Sequence, residues 1–433
     1  MIIGGGFAGL KAALGLRKAP VRVTVVDRRN HHLFQPLLYQ VATGTLDSSD
    51  IAHPIREMLK RQPNTEVAMG EVVGVDVEAQ EVRLADGTVL PYDYLVAAAG
   101  ASHAYFGRDE WEPFAPGLKT LEDAQSIRSR VLRAFEDAEL EDDPAKRAAL
   151  MTFILVGAGP SGVEMAGSLA ELVRNGMTHE FRRIDPAKAR VMLVEALDRV
   201  LPPFPPDLSA EAHEALTKLG VEVRLGKPVT NITAETVTIG DEPVPCRMVI
   251  WTAGVKASPI GGMLGAELDR AGRVKVQPDL SLPGRPNVFV AGDLASLLRP
   301  DGRPVPGIAP AAMQQGTLVA RNVVRAVNGL PGLPFEYNDK GNMAIIGRFH
   351  AVAAIGDTHF SGLPAWATWL GVHLAYLDGN RNRLITGIDW AWSLVGHTHS
   401  NRLILGKRPV LPGSEPPAAK AAAEREPVAV GRR

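Results

Sequence analysis

The stretch ILVGAGPSGVEMAGSL, residues 154–169, reads in order as a strand, a glycine turn and a helix. Its glycines, Gly157, Gly159 and Gly162, have the spacing G-x-G-x-x-G. In such a turn the first glycine permits the tight bend. The second lets backbone approach a pyrophosphate, and the third lets helix and strand pack closely. The helix start that follows offers unpaired N–H groups and a positive dipole end to an anion. The next apolar run, ARVMLVE at 189–195, ends on Glu195, where a carboxylate can hold a ribose diol. A bare G-x-G-x-x-G is a weak signal. With strand, helix and acid in register it predicts a dinucleotide site.

The chain opens on the same pattern. In MIIGGGFAGLKAAL, residues 1–14, the glycines are Gly4, Gly6 and Gly9, and VRVTVVD at 21–27 ends on Asp27. Only Met1, Ile2 and Ile3 precede this turn, which is short for its strand, so further residues are expected before them. Other landmarks also come twice. LVAAAG ends at Gly100 and VIWTAG ends at Gly254. A third apolar run, NVFVAGD at 287–293, places Asp293 after a buried strand and before a helix. The architecture is therefore duplicated, and two turns predict two dinucleotides facing each other.

Between these landmarks, residues 71–100 read as short strands with a turn at Asp86-Gly87. Residues 120–150 read as helix, with Ile127, Val131 and Phe135 at helical spacing, and 310–328 as another. NMAIIGRFHAVAAI at 342–355 reads as strands, followed by two aromatic-rich helical stretches to about residue 405. The tail from Val410 is rich in Pro, Ala and Glu and is expected to be disordered. The fold class is α/β: two Rossmann-like dinucleotide-binding domains, then a C-terminal α+β region with amphipathic helices. The boundaries are 1–115 plus 255–330 for a discontinuous first domain, 116–254 for the second, 331–408 for the C-terminal region and 409–433 for the tail.

Composition excludes several classes. The 433 residues carry 47 Lys and Arg against 48 Asp and Glu, so no basic field points to nucleic acid. The single cysteine, Cys246, rules out a disulfide framework, a cysteine zinc site and a two-cysteine redox centre. No signal-peptide pattern opens the chain. No apolar run reaches the roughly 20 residues that span a bilayer. The nearest, LPAWATWLGVHLAYL at 363–377, is interrupted by a histidine. The pairs His31-His32 and His397-x-His399 lack further matched ligands, so no metal is expected.

HHLFQPLLYQVATG (31–44), GAGPSGVEMAGSLAEL (157–172), VIWTAGV (249–255), NVFVAGD and AAMQQG (311–316) together resemble the type II NADH:quinone dehydrogenases. The resemblance covers about residues 1–408. It implies a glutathione-reductase-like flavoprotein that carries FAD and passes two electrons from NADH to a quinone without pumping protons. The implied location is peripheral, at the cytoplasmic face of the cell membrane, held by C-terminal amphipathic helices, with a homodimer as one arrangement. On this reading Gly4, Gly6, Gly9, Asp27, Val72, Gly100 and Asp293 hold FAD, Val72 through its backbone at the adenine. Gly157, Gly159, Gly162, Glu195 and Gly254 hold NADH. Glu164 falls near nicotinamide and flavin, and Gln314 and Gln315 near the flavin ring and quinone mouth.

Each of these has a plainer reading beside it. Glu164 also suits the positive end of a helix dipole. Gln314 and Gln315 also suit a helix start, and Tyr39 and Gln40 either line the cavity or simply pack. Glu195 disfavours the 2′-phosphate of NADPH unless a cation such as Arg199 compensates. Pro310 stands where some members have glutamine. The C-terminal helices depart from the family's apolar pattern at Asp378, Asn380, Gly387, Asp389, His397 and His399. They keep Trp366, Trp369, Trp390 and Trp392 with Arg381, Arg383 and Arg402, which suits an interfacial helix. Two other readings stay open: a soluble NAD(P)H-dependent flavin reductase serving a small redox protein, and an NADH-sensing flavoprotein with slow turnover.

Overall fold

The computed structural model describes residues 1–396 and 401–406. The expected tail, His397 and His399 lie outside the described residues.

Two parallel sheets carry the duplicated pattern. In the first, the strands run in the order Leu95–Ala97, Ile2–Ile3, Val23–Asp27, Thr65–Met69. In the second the order is Met248–Trp251, Thr152–Val156, Arg190–Val194, Val221–Arg224. Each copy inserts a three-stranded antiparallel sheet before its last strand. These are Val72–Asp76, Glu81–Leu84 and Val89–Pro91 in the first copy, and Val229–Ile232, Thr236–Ile239 and Glu242–Pro245 in the second. The Thr152–Val156 strand is buried throughout, as a central parallel strand covered on both faces must be.

The later strand Arg285–Val290 returns to the first sheet and pairs in parallel with Leu95–Ala97. The first unit is therefore assembled from two separated stretches of chain, with helix Ala309–Val327 packed on helix Phe7–Gly15. An antiparallel pair, Ala101–His103 with Val255–Ala257, carries the chain across between the two units.

The expected helix over 120–150 is two helices, Leu121–Leu140 and Pro144–Leu150. The first begins on a capping box, in which the Asp123 N–H donates to Thr120 Oγ1 and the Thr120 N–H to Asp123 Oδ2. The second is restarted by Asp143, whose side chain caps Ala145 and Lys146 ahead of Pro144.

The C-terminal region has an antiparallel sheet of Asn342–Gly347, His350–Ile355 and Thr358–Ser361. Helices Gly362–Tyr376 and Asn380–Gly396 follow, and the described segment 401–406 is not helical. Trp369, Leu377 and Trp390 enter the largest hydrophobic cluster. Among the described residues no helix is long and apolar enough to cross a membrane.

Candidate functional site

The two glycine turns superpose bond for bond in their local geometry. The Gly4 N–H donates to Val26 O at 2.8 Å, and the Gly157 N–H to Val194 O at 2.8 Å. Both residues have φ of +101°, a conformation open to glycine. A Cβ on Gly9 would come within 1.8 Å of Gly4 O, and one on Gly162 within 1.9 Å of Gly157 O. The third glycine of each turn is thus a packing requirement. Around Gly6 and Gly159, by contrast, the space is open. Helices Phe7–Gly15 and Pro160–Glu171 have no side-chain cap, so their first N–H groups remain available to an anion.

The acidic strand ends repeat the pattern. Asp27 accepts the Gly5 N–H (2.6 Å) and the Arg29 N–H (2.7 Å). Glu195 accepts the Ala158 N–H (2.7 Å) and the Leu197 N–H (3.0 Å). Each carboxylate is fixed beside its turn and keeps acceptor capacity for ribose hydroxyls. Arg199 is turned away, its guanidinium donating to Pro202 O at 2.8 Å.

A cleft of about 580 Å³ runs past the first turn, within the range of cofactor sites. Gly4, Gly6, Asp27, Val72, Gly100 and Asp293 all line it, while Gly9 sits behind the turn. Lys119, on the crossing between the units, also lines it. Its ammonium lies 3.7 Å from Asp293 Oδ2. No periodic or motif signal marks Lys119, so the sequence reading missed it. His32 is buried and pairs through Nδ1 with Gly5 O at 2.9 Å, with Nε2 3.4 Å from Asp378. This ties the first turn to the link between the C-terminal helices.

The two glutamines part company. Gln315 is buried and its Oε1 accepts the Gly292 N–H at 2.6 Å, fixing the turn that aims Asp293. Gln314 donates to Asn338 O (3.0 Å) and accepts the Asn338 N–H (2.9 Å), so its amide clasps the incoming loop.

Glu164 lies in the second turn of helix Pro160–Glu171, under the C-terminal sheet. Burial pushes its carboxyl up to about 8, opposed by the Ile345 N–H and the Trp369 indole facing it. Tyr39 stands close enough for Glu164 to add to the burial that raises its phenol. The Gln40 amide donates to Tyr39 Oη (2.8 Å), and the Trp390 indole donates to Gln40 Oε1 (2.7 Å). A continuous polar chain therefore links the C-terminal helix to the neighbourhood of the second turn. His373 stacks on Trp369 with centroids 3.9 Å apart, and burial brings its imidazole down to about 4. Cys246 is buried and its thiol is pushed up to about 12, which makes it unreactive. Among the described residues no cluster of three His, Cys, Asp or Glu could hold a metal.

The family model for pyridine nucleotide-disulphide oxidoreductases matches residues 1–316. The chain is 47% identical over 405 residues to the type II NADH:quinone oxidoreductase Ndh of Mycobacterium tuberculosis, covering 90% of this chain and 86% of that one. It is 46% identical over 422 residues to NdhA of the same organism, with 93% and 88% coverage. In fold it is similar to the solved structure of NDH2 from Plasmodium falciparum in complex with NADH. The TM-score is 0.83 at 18% identity, over 94% of this chain and 99% of that chain.

Proposed function

Because the chain belongs to the type II NADH:quinone oxidoreductases within the pyridine nucleotide-disulphide oxidoreductase family, and so passes electrons from NADH to a quinone, we propose the following assignment of its residues. The first unit, 1–115 with 255–330, holds FAD, and the second, 116–254, holds NADH. The observation that carries this is the duplicated register: turn, uncapped helix and anchored acid occur twice in one chain with matching hydrogen bonds.

The first cleft fits FAD on its own geometry. It combines open space at Gly6, free helix N–H groups for a pyrophosphate, Asp27 for the adenosine ribose and Gly100 and Asp293 at the flavin end. When bound, FAD supplies the redox relay between nicotinamide and quinone. The chain's own part is to bind and orient. The N–H groups of Phe7–Gly15 hold the pyrophosphate, and Gln315 holds Gly292 so that Asp293 meets the ribityl chain. Lys119 offsets the charge that Asp293 would otherwise set against a phosphate. At the second turn Glu195 accepts the adenosine ribose hydroxyls of NADH. With the Arg199 guanidinium donating to Pro202 O and the Glu195 carboxylate set against a 2′-phosphate, NADH is preferred over NADPH.

Reducing a quinone with NADH consumes one proton beyond the hydride. Glu164, held protonated at neutral pH, keeps that proton at its carboxyl oxygen beside Tyr39. The buried Trp369 and Trp390, with ring centroids 5.5 Å apart, pack on the C-terminal side of this carboxyl.

The outer face of the C-terminal helices supports membrane docking. Leu384, Ile388 and Trp392 are 65%, 53% and 67% exposed and recur every fourth residue along one stripe of Asn380–Gly396. Leu363 and Tyr376, at the two ends of the preceding helix, are also exposed. We assign this face to the cytoplasmic surface of a membrane, with a homodimer as the arrangement that would compete for the same side chains.

The test follows flavin absorbance of the purified enzyme under anaerobic conditions. Bleaching by NADH, then recovery on adding a short-chain quinone, is the expected course. Bleaching without recovery would overturn the assignment of the acceptor side, and a flavin-loaded sample that NADH does not bleach would overturn the assignment of the second turn.

A further inference from the structure

The loop leaving the crossing strand Ala101–His103 displays a phenyl ring beside the tryptophan that ends strand Met248–Trp251: the Phe106 and Trp251 ring centroids lie 6.3 Å apart. Phe106 is 71% exposed. Its φ is +52°, a backbone state that side-chain-bearing residues adopt at a cost, and Gly107 follows at +84°. The flanking residues are firmly held. The Ala104 N–H donates to Gly254 O, the Trp251 indole donates to Ala104 O, and Tyr105 Oη donates to Ala115 O. Phe106 is therefore projected outward by a braced loop. It does not hang from a loose one.

The ring has a definite neighbour. A Cβ built on Gly254 would meet the Phe106 ring first, at 2.5 Å from its Cζ. Gly254 has no positive φ, so a side chain there would disturb the ring's close approach and not the backbone conformation. The place of Gly254 in the second unit follows from the duplication. The Ala98 N–H donates to Ile3 O and the Thr252 N–H to Val156 O, which makes residue 254 the counterpart of Gly100. Gly100 lines the first dinucleotide cleft. By the same register Gly254 lies at the mouth of the second.

We propose that the Phe106 ring, seated on Gly254, is the apolar wall against which the nicotinamide end of NADH docks. The inference rests on the reading that the second turn holds NADH. A planar ring offers stacking or edge contact to the flat nicotinamide at little cost in side-chain freedom. It also explains why an exposed aromatic is kept in a strained backbone state. The ring touches no hydride or proton, so its contribution is to substrate binding.

The experiment uses the FAD-loaded enzyme and reads KM for NADH, kcat, KM for quinone and flavin content. Phe106→Ala is expected to raise KM for NADH about five- to ten-fold, the size of one aromatic contact. The kcat, the quinone KM and the flavin content should stay at parental values, and Phe106→Tyr should behave as the parent. Gly254→Ala, which displaces the ring, should raise KM as well, and Phe106→Ala/Gly254→Ala should be no worse than Phe106→Ala alone. Glu195→Gln is the control on the underlying reading. If it raises KM for NADH while Phe106→Ala does not, the wall is refuted and the NADH site stands. If neither variant changes KM, the second turn does not bind NADH and both fall. A loss confined to kcat, or one that Phe106→Tyr shares, also overturns the proposal.

Discussion

Replacing Glu164 by glutamine separates what this carboxyl does for stability from what it does for the reaction. The group sits under the C-terminal sheet with its carboxyl raised from 4.5 to about 8 by burial. A raised carboxyl pKa opposes folding at any pH where the unfolded chain would ionise. Below 4.5 both states are protonated and the effect is nil. As pH rises the unfolded state releases its proton first, so stability falls steadily until the folded group also ionises near 8. At pH 7 the gap of about 2.5 pH units corresponds to roughly 3 to 4 kcal/mol at most, since each unit is about 1.36 kcal/mol. Glu164→Gln keeps the shape and removes the titration. The variant should therefore melt above the parent at pH 8, by less at pH 7, and with it near pH 4.5. The same variant should lose turnover, by the roughly 10²- to 10⁴-fold typical of a lost acid–base group. It should also lack the alkaline fall in kcat expected of the parent as Glu164 ionises. Thermal melts and steady-state kinetics across pH 4.5 to 9 read both effects. A variant whose melting curve tracks the parent's at every pH would refute the burial argument. One that keeps full turnover would refute the role as proton store.

Three further outcomes follow from the geometry. Gly4→Ala should abolish flavin retention, because φ is +101° and the new Cβ would fall 2.4 Å from Ala98 O; a yellow, flavin-replete variant would contradict the turn's role. Trp390→Phe leaves Gln40 Oε1 without its donor in a buried setting, a loss of about 1–3 kcal/mol. It should lower the melting temperature and raise KM for quinone more than KM for NADH, and the reverse order of KM effects would detach this helix from the acceptor side. Changing Leu384, Ile388 and Trp392 together to Ser should reduce co-sedimentation with anionic vesicles while leaving NADH-driven flavin bleaching intact; undiminished sedimentation would move the docking face elsewhere.

Much of the fold was legible because its signals are local. A glycine turn, the strand before it, the helix after it and the acid closing the next strand lie within about forty residues, and each has a sequence signature with a mechanical cause. Asp27 and Glu195 were readable for that reason, and their anchoring by turn N–H groups is the local geometry such a pattern needs. The partners of the polar chain were not. Gln40 and Trp390 stand 350 residues apart, and nothing in either neighbourhood announces the other. Gln314 and Gln315 are adjacent in sequence on one helix, yet consecutive helical residues point about 100° apart. One therefore reaches Gly292 and the other Asn338. Phe106 escaped for a different cause. Its meaning lies in a backbone angle and in a missing side chain at residue 254, and neither has a periodic trace.

The duplication makes the differences between the copies more informative than their likeness. Both copies place a glycine at the end of the fourth core strand's loop, but Gly100 has a φ of +67° and opens onto a cleft, while Gly254 is covered by a ring. Both copies start an uncapped helix at the turn. The first, Phe7–Gly15, has no acidic residue and packs on Ala309–Val327. The second puts Glu164 at the matching level, where the C-terminal sheet covers it. A resident cofactor calls for an open, preformed cradle with its polar partners built in, which on the proposed assignment are Asp27 for a ribose and the Lys119–Asp293 pair. A substrate that must arrive and leave on every turnover calls for a proton store beside it and a wall that adds binding without adding permanence. On the proposed assignment, those are the features by which the second copy has departed from the first.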